Sequence, residues 1–443
     1  MQDGGFNNEN YLYYMLEAQR AYTAPLRLGI DIAAQWFNNE SNPFYDNGHS
    51  KIMRAYLVLA ERMTRKYEKP EFNIKECIVS DKVYSVKEEV VFTKDFCLLK
   101  HFSKVDNKND LPKLLIVAPM AGHHATLLRE TTQQMLSHCD VYITDWTEAN
   151  MVPEAAGKFD MDDFIDYLIE FITFLGPEVH ILAVCQPTVP VLAAISIMSA
   201  NNDVNVPKSM ILMGGPVDAR KNPTAVDLFA ISKNLDWFRQ TVTMKVPPNY
   251  PGYGRTVYPG FLQLAGFISL NLPRHIDSHL ELLQSLLVGD QEKADRTIKF
   301  YDEYLASMDM SADFYLQTIE EVFHEFALAQ DKLVSRGREI HLKNITKTAL
   351  LAVEGEHDDI AGVGQTKAAL DMCSNIPDSK KRYYLQEGAG HYGVFSGSKY
   401  RKFIVPVIRD FIYSLHSTAN QPTIQTGQKH NPKNNGVSIA ARA

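Results

Sequence analysis

The chain has 443 residues, of which 45% are hydrophobic and 22% charged, as in an ordinary globular protein of one large or two smaller domains. Its net charge of −8 and the lack of a basic stripe argue against a nucleic-acid partner, and no apolar run is long enough for a membrane span. The five cysteines are scattered without a Cys-x-x-Cys pair, which argues against a disulfide framework or a zinc site.

The N-terminal part of the chain predicts helices followed by strands. Its polar start has no signal-peptide pattern and predicts an intracellular protein. Apolar residues recur at helical spacing from Tyr14 to Phe37 and from Ile52 to Tyr67. The segment that begins at Lys87 resembles a β-hairpin. We therefore predict an N-terminal helical extension over residues 1–85.

Strands and helices alternate in the middle of the chain. Buried strands are predicted at 114–118, 140–146, 179–184 and 209–217, each followed by a helical or loop segment. This alternation is typical of a mostly parallel sheet that is covered by helices. It breaks near residue 220 and resumes with strands at 348–355 and 382–388. The sequence thus predicts an α/β core at 86–219 and 346–416, an inserted and mainly helical cap at 220–345, and a disordered tail at 417–443.

The most informative segment is the strand that ends abruptly at Cys185. Pro187 follows, and then an apolar helical run from Val189 to Met198. A strand that stops at a nucleophile and turns sharply into a helix is a nucleophile elbow, which exposes the side chain at the top of the sheet. The helix N-terminus also favours a thiolate over a thiol. Cys185 is therefore the predicted nucleophile.

The last two predicted strands end at the partners that a nucleophilic thiol needs. Asp358 follows the first of them, and His391 lies in a glycine-flanked loop after the second. In α/β-hydrolases the acid and the histidine follow the nucleophile in this chain order. We expect Cys185, Asp358 and His391 to form a catalytic triad, with Asp359 as the competing acid.

Backbone N–H groups are expected to bind the oxyanion. One belongs to Gln186, and the second should come from Met120 or Ala121 in the loop after the first core strand. His123 and His124 lie near this loop. The sequence leaves open whether these histidines face solvent at a helix start or take part in catalysis.

Residues 246–267 of the predicted cap are rich in Pro, Gly and aromatic residues. Such a segment can line an apolar acyl groove, expose an adhesive patch for a hydrophobic surface, or simply pack the cap against the sheet. The candidate groove residues are Tyr250, Tyr253, Tyr258 and Phe261.

No segment has the pattern of a cofactor site. The glycines near residue 362 do not form a phosphate loop. His275 and His279 lie four residues apart on a predicted cap helix, but no third metal ligand is near them in the sequence. We expect neither a cofactor nor a metal.

Several long segments resemble the intracellular polyhydroxyalkanoate (polyhydroxybutyrate) depolymerases, over roughly residues 10–415. They are APMAGHHATLLRET, YITDW, AVCQPTVPVLAA, MGGPVDARKNPT, VYPGFLQLAGF, FYDEYLASMDMSADFYLQT, VEGEHDDIAGVGQT and GAGHYGVFSG. That family is similar to α/β-hydrolases and uses a cysteine nucleophile. The resemblance implies a cytoplasmic enzyme that hydrolyses amorphous polymer on native storage granules to 3-hydroxybutyrate and short oligomers. It maps the nucleophile, acid and base onto Cys185, Asp358 and His391.

The elbow departs from the common Gly-x-Ser-x-Gly pattern, because Ala183 and Pro187 stand at the glycine positions. Pro187 suits the depolymerases but not the polymer synthases, whose elbow resembles Gly-x-Cys-x-Gly-Gly. Two other functions stay open. One is a synthase-like acyltransferase that passes the acyl group to an alcohol. The other is a granule-binding protein with a vestigial triad.

Overall fold

The computed structural model describes residues 11–45, 47–107 and 110–415. The tail for which the sequence predicts disorder, 417–443, lies outside these residues. The strands are β1 (Glu76–Val79), β2 (Lys82–Lys94), β3 (Cys97–Lys104), β4 (Lys113–Val117), β5 (Asp140–Trp146), β6 (His180–Val184), β7 (Ser209–Met213), β8 (Met244–Lys245), β9 (Thr256–Tyr258), β10 (Met310–Ser311), β11 (Val334–Ser335), β12 (Arg338–Glu339), β13 (Ala349–Gly355) and β14 (Lys381–Gln386).

Helices cover the sheet and fill the long segment between β7 and β13. They are α1 (Tyr11–Asn38), α2 (Gly48–Thr64), α3 (Arg129–Leu136), α4 (Met161–Leu175), α5 (Thr188–Ala200), α6 (Ala225–Ser232), α7 (Leu235–Thr241), α8 (Gly260–Leu270), α9 (Leu272–Val288), α10 (Gln291–Tyr304), α11 (Ala312–Thr318), α12 (Ala368–Met372), α13 (Gly397–Lys399) and α14 (Val405–Leu415).

A nine-stranded sheet forms the centre of the protein, in the order β1-β2-β3-β5-β4-β6-β7-β13-β14. The strands from β5 to β14 in this order are parallel, whereas β1, β2 and β3 form an antiparallel edge. Every residue of β6, β7 and β13 is buried, as expected for parallel strands with helices on both faces. This mostly parallel, helix-flanked sheet confirms the predicted α/β-hydrolase-type fold.

The helices that flank the elbow strand have clear sequence causes. Helix α4 begins with a capping box in which the side chains of Asp160 and Asp163 each accept from the other's backbone N–H. Its apolar face then packs into the core. Helix α5 follows Cys185 and is apolar on all sides, so it is buried along almost its whole length. The elbow therefore lies directly above buried core residues of α5.

The sheet begins earlier than the sequence predicts. Strand β1 starts at Glu76, and β2 crosses the predicted boundary at residue 86. Ser80 and Asp81 connect the two strands in a tight turn, with φ values of 48° and 64°. Two consecutive positive φ angles are typical of a two-residue hairpin turn, but Ser-Asp is a weak signal for it. Strand β2 carries many polar residues, so the sequence does not mark its first residues as a strand.

The segment between β7 and β13 adds helices α6 to α11 and a small three-stranded sheet in the order β10-β9-β8. These are the residues for which the sequence predicts an inserted helical cap. The division of the chain into extension, core and cap stays a prediction. Of the described helices, none combines the length and the hydropathy that crossing a membrane requires.

Candidate active site

Cys185 lies in a strained turn between β6 and α5. Its φ of 66° is in the left-handed region, which residues other than glycine rarely adopt. The Cys185 N–H donates to the carbonyl of Met213 on β7 at 2.8 Å. The Cys185 carbonyl accepts from the N–H and the hydroxyl of Thr188 at 3.1 and 2.9 Å. These bonds hold the backbone in the geometry of a nucleophile elbow.

His391 contacts Asp358 through one ring nitrogen. Its Nδ1 lies 2.9 and 3.0 Å from the two carboxylate oxygens of Asp358, and both residues are buried. The carboxylate also accepts from the backbone N–H groups of Ile360 and Ala361 at 2.9 and 2.8 Å. Asp358 is thereby fixed in place, and it orients the imidazole with Nδ1 as the donor.

The Cys185 side chain forms a hydrogen bond with His391. Burial alone would lower the pKa of the His391 imidazole. The charges of Asp358 and Cys185, together with their hydrogen bonds, outweigh burial and raise the pKa of His391 well above its usual value. Such an imidazole readily holds a proton that leaves the thiol, so the pair has the electrostatics of a general base and its nucleophile.

The neighbouring Asp359 does not reach the imidazole. It is exposed and accepts a hydrogen bond from Asn271 Nδ2 at 2.8 Å. His357, on the other side of Asp358, also points to solvent. Of the two candidate acids, the structure therefore brings only Asp358 to His391.

The loop after β4 lies beside Gln186, as the oxyanion prediction requires. The Met120 N–H already donates to Gln186 Oε1 at 3.2 Å. Within the described residues, no acceptor pairs with the Ala121 N–H. Ala121 is thus the available second donor, and the side chain of Gln186 holds the loop next to it.

Gln263 on helix α8 supports the same loop from the other side. Its Oε1 accepts from the Gly122 N–H at 2.8 Å, while its Nε2 donates to the carbonyls of Tyr258 and Met308. The sequence analysis missed this residue. Its one sequence signal is a glutamine among the apolar residues of the first turns of α8.

A mostly apolar cavity of about 410 Å³ adjoins Cys185 and His391. A volume of this size suits a small organic group, and few polar atoms line it. Phenylalanine and tyrosine rings make up much of its lining, among them Phe229, Phe238, Tyr258, Phe267, Tyr315 and Tyr392. Helices α6, α8 and α11 supply several of them, so the segment between β7 and β13 forms much of the wall above the elbow.

Of the four predicted groove residues, only Tyr258 lines this cavity. Tyr250 and Phe261 pack against Tyr13 of α1, with ring centroids 6.1 and 5.8 Å away, and Tyr253 is 58% exposed. The structure thus corrects the prediction for these three. Tyr250 and Tyr253 lie before β9, and Phe261 lies on the side of α8 that faces Tyr13.

His123 and His124 are both buried, so the solvent-facing alternative is wrong for both. His123 lines the cavity among the rings of Phe267, Tyr304 and Tyr392. Burial lowers the pKa of each histidine to about 4, which keeps both neutral at pH 7.

His275 and His279 are engaged in other contacts. His275 Nδ1 pairs with the Tyr301 hydroxyl at 2.9 Å, and His279 Nδ1 pairs with the His275 carbonyl at 2.8 Å. In the part of the chain that the structure describes, no group of three or more His, Cys, Asp or Glu side chains could hold a metal ion.

The comparisons with known proteins point to one area of chemistry. A family model described as "PHB de-polymerase C-terminus" matches residues 214–416, which include Asp358 and His391. The poly(3-hydroxyalkanoate) polymerase subunit PhaC of Allochromatium vinosum is 22% identical over 334 residues, or 72% of this chain and 86% of its own length. The PhaC of Haloferax mediterranei is 19% identical over 360 residues, which is 79% of this chain and 68% of its own length. The chain is thus similar to a polyhydroxybutyrate depolymerase model in its C-terminal part and to polyhydroxyalkanoate polymerase subunits over most of its length.

Solved structures with some likeness include a thermophilic esterase from Thermogutta terrifontis and a serine hydrolase from Cycloclasticus zankles. The esterase has a TM-score of 0.40 and 14% identity, and covers 75% of this chain and all of its own. The serine hydrolase has a TM-score of 0.40 and 13% identity with the same coverage. The fold class rests on the strand order of the central sheet and not on this likeness.

Proposed function

We propose that this protein hydrolyses the ester bonds of a poly(3-hydroxyalkanoate), with poly(3-hydroxybutyrate) as the expected polymer. The observation that carries the proposal is the arrangement of His391, which contacts Asp358 on one side and Cys185 on the other beside an apolar cavity. The depolymerase family model over residues 214–416 supports the polyester as substrate.

In the first half of the proposed reaction, His391 accepts the proton of the Cys185 thiol. The thiolate attacks the ester carbonyl carbon and forms the new C–S bond, while the N–H groups of Gln186 and Ala121 bind the oxyanion. The tetrahedral intermediate then collapses and the ester C–O bond breaks. His391 gives its proton to the departing oxygen, so a polymer chain leaves as an alcohol and an acyl-thioester remains on Cys185.

In the second half, His391 takes a proton from a water molecule that attacks the thioester carbonyl. The C–S bond breaks, the thiol of Cys185 is restored by the proton on His391, and a hydroxyalkanoic acid or oligomer leaves. Ester and water give acid and alcohol, so the reaction needs no cofactor. Asp358 holds the imidazole and stabilises its cationic form in both halves.

The apolar cavity suits the aliphatic part of a hydroxyalkanoate unit. Such a polymer is insoluble in water, and the proposal therefore includes the surface of cytoplasmic storage granules as the place of action.

A second candidate function is polymer synthesis, and the two PhaC relatives favour it. A synthase would use the same triad but pass the acyl group to a hydroxyl at the chain end instead of to water. A third function, granule binding with a vestigial triad, needs no turnover at all.

Product analysis separates these functions. Purified protein is incubated with amorphous poly(3-hydroxybutyrate) particles and, in parallel, with 3-hydroxybutyryl-CoA. We expect soluble 3-hydroxybutyrate and oligomers from the first reaction and no CoA release from the second. CoA release with polymer growth would establish the synthase, and particle binding without any product would establish the binding protein.

The same assay tests the nucleophile. We expect Cys185→Ala to lower polymer hydrolysis by roughly a thousandfold or more while particle binding persists. Cys77→Ala, which removes a buried thiol of β1, is the matched control and should hydrolyse at close to the parent rate. Parent-rate hydrolysis by Cys185→Ala would contradict the assignment.

A further inference from the structure

Helix α1 exposes large apolar side chains over its whole length. Eight of them are between 41% and 87% exposed. Leu12 and Met15 lie near the start of the helix, and the other six are Tyr14, Tyr22, Leu26, Leu28, Ile32 and Trp36. At about 100° per residue, these six positions lie within roughly 160° of arc around the helix. The other residues on that arc are apolar as well, and none carries a charge. We call the six residues the α1 apolar face.

The charged residues of α1 lie on its other side, and two of them contact the rest of the protein. The charged residues are Glu17, Arg20, Arg27 and Asp31. Glu17 accepts from the Tyr250 hydroxyl at 3.0 Å, and Arg27 donates to the carbonyl of Thr64 at the end of α2 at 3.4 Å. A surface helix ordinarily buries its apolar stripe and turns its charges to water. On helix α1 the six residues of the apolar face are instead exposed, which marks this side as a contact surface.

We propose that the α1 apolar face docks on the surface of the polyester whose ester bonds Cys185 is proposed to cleave. This inference rests on the proposed function. It adds an attachment site outside the cavity, which α1 does not line. A helix of 28 residues offers a strip about 42 Å long, enough to hold the enzyme on a solid substrate between turnovers.

The chemistry of the face matches that of an amorphous polyester. The polymer presents aliphatic groups and ester oxygens, which accept hydrogen bonds, but no charge and no donor within the chain. The α1 apolar face has no charge to desolvate. It does expose hydroxyl and indole donors at Tyr14, Tyr22 and Trp36, which can pair with the ester oxygens as the aliphatic groups pack against Leu26 and Ile32.

Two other occupants fit less well. Helices that bind anionic membranes carry a cationic polar side, but α1 has two arginines balanced by two acidic residues, and the chain has a net charge of −8. In a face-to-face pair with a second copy, the exposed donors would meet no carboxylate or amide acceptor, and the two net charges would repel each other.

The test compares two double variants of the full chain. Leu26→Glu with Ile32→Glu places two charges on the face. Val83→Glu with Val204→Glu adds the same charge at positions that are 63% and 82% exposed elsewhere. Adsorption to amorphous poly(3-hydroxybutyrate) particles is measured by sedimentation, and hydrolysis of a soluble 3-hydroxybutyrate trimer is measured separately.

We expect the α1 variant to adsorb roughly tenfold more weakly or worse, since two apolar side chains can no longer be buried against the polymer. Its hydrolysis of particles should fall in parallel, while its hydrolysis of the trimer stays at the parent rate. The control variant should match the parent in all three measurements. Should the double variant lose trimer hydrolysis through misfolding, Tyr22→Ser provides the same comparison at the most exposed position.

Unchanged adsorption by a variant that still hydrolyses the trimer would overturn the docking proposal. So would equal binding of the parent to phosphatidylcholine vesicles, which would identify a lipid surface, or a parent dimer that the α1 variant dissociates, which would identify a second copy. If the parent does not hydrolyse the trimer, the proposed function fails instead, and adsorption still reports on the face.

Discussion

At the scale of single residues, the orientation of His391 depends on Asp358. The Asp358 carboxylate is held by two backbone N–H groups, and both of its oxygens lie within 3.0 Å of His391 Nδ1. The adjacent Asp359 is turned outward to Asn271. Substituting Asp358 and Asp359 separately therefore shows which of the two carboxylates supports His391 as the base.

We expect Asp358→Asn to lower kcat for ester hydrolysis by roughly a thousandfold or more, because an amide cannot hold the imidazole in the tautomer that accepts the thiol proton. Asp359→Asn should keep close to the parent kcat. Steady-state kinetics on a soluble 3-hydroxybutyrate trimer measure both. If the two variants lose activity equally, the acid has been assigned to the wrong residue.

The three proposed catalytic residues can be predicted from the sequence, because each follows a strongly apolar strand and parallel strands end at one edge of the sheet. The supporting side chains cannot be predicted in this way. Gln263 and Gln186 reach the oxyanion loop through side-chain amides, and no local pattern indicates the direction of a side chain. Likewise, aromatic density alone did not show that Tyr250 and Phe261 pack against α1.

At the scale of secondary-structure elements, the elbow depends on how closely β7 approaches it. A side chain at Gly215, just after β7, would place its Cβ 2.6 Å from the Cys185 carbonyl oxygen and 2.0 Å from Thr188 Oγ1. Neither atom belongs to a flexible side-chain end. The glycine therefore permits the contact between the two elements that fixes the strained backbone of Cys185.

We expect Gly215→Ala to lower the free energy of unfolding by about 3 kcal/mol through overpacking. It should also reduce ester hydrolysis by roughly a hundredfold, since the nucleophile is displaced. Gly48→Ala at the start of α2, where a Cβ meets no atom within 4 Å, should leave both quantities nearly unchanged. Denaturant titrations and trimer hydrolysis provide the measurements, and a fully stable, active Gly215→Ala would contradict the packing argument.

Apolar runs predict the buried strands of the sheet well, because β4, β5, β6, β7 and β13 are covered on both faces. The antiparallel edge is harder to predict, since β2 is half exposed and its polar residues resemble a loop. The helices α6, α8 and α11 also carry apolar residues that look like ordinary core. Only the three-dimensional arrangement shows that Phe229, Phe267 and Tyr315 line a cavity.

At the scale of the whole molecule, buried neutral histidines make stability depend on pH. His124 is 5% exposed, and burial, followed by the charge of Lys69, lowers its pKa to about 4. In the unfolded chain this imidazole binds a proton with a pKa near 6.5. In the folded chain it stays neutral at that pH. Its contribution is therefore present above pH 6.5 and is lost as the pH falls from about 6.5 to 4.

We expect the free energy of unfolding to decrease as the pH falls from about 6.5 to 4. His124 should account for a decrease on the order of 3 kcal/mol. His124→Gln should flatten the pH dependence. His341→Gln is the control of opposite sign, because the hydrogen bonds that its imidazole donates to Asp331 and Glu339 raise the pKa of this exposed histidine. Its stabilisation is present below pH 6.5 and is lost as the pH rises. Urea titrations at several pH values measure the free energy of unfolding of each variant. If His124→Gln keeps the parent's slope of unfolding free energy against pH, the assignment to His124 is wrong.

Trapping the acyl-enzyme is the sharpest test of a covalent route through Cys185. The protein is mixed with a soluble activated butyrate ester, quenched in acid during the burst, digested and analysed by peptide mass spectrometry. We expect one butyryl group per chain on the peptide that contains Cys185, removable by neutral hydroxylamine and absent from Cys185→Ala. Ester turnover with the acyl group on another residue, or an undiminished burst in Cys185→Ala, would contradict this route.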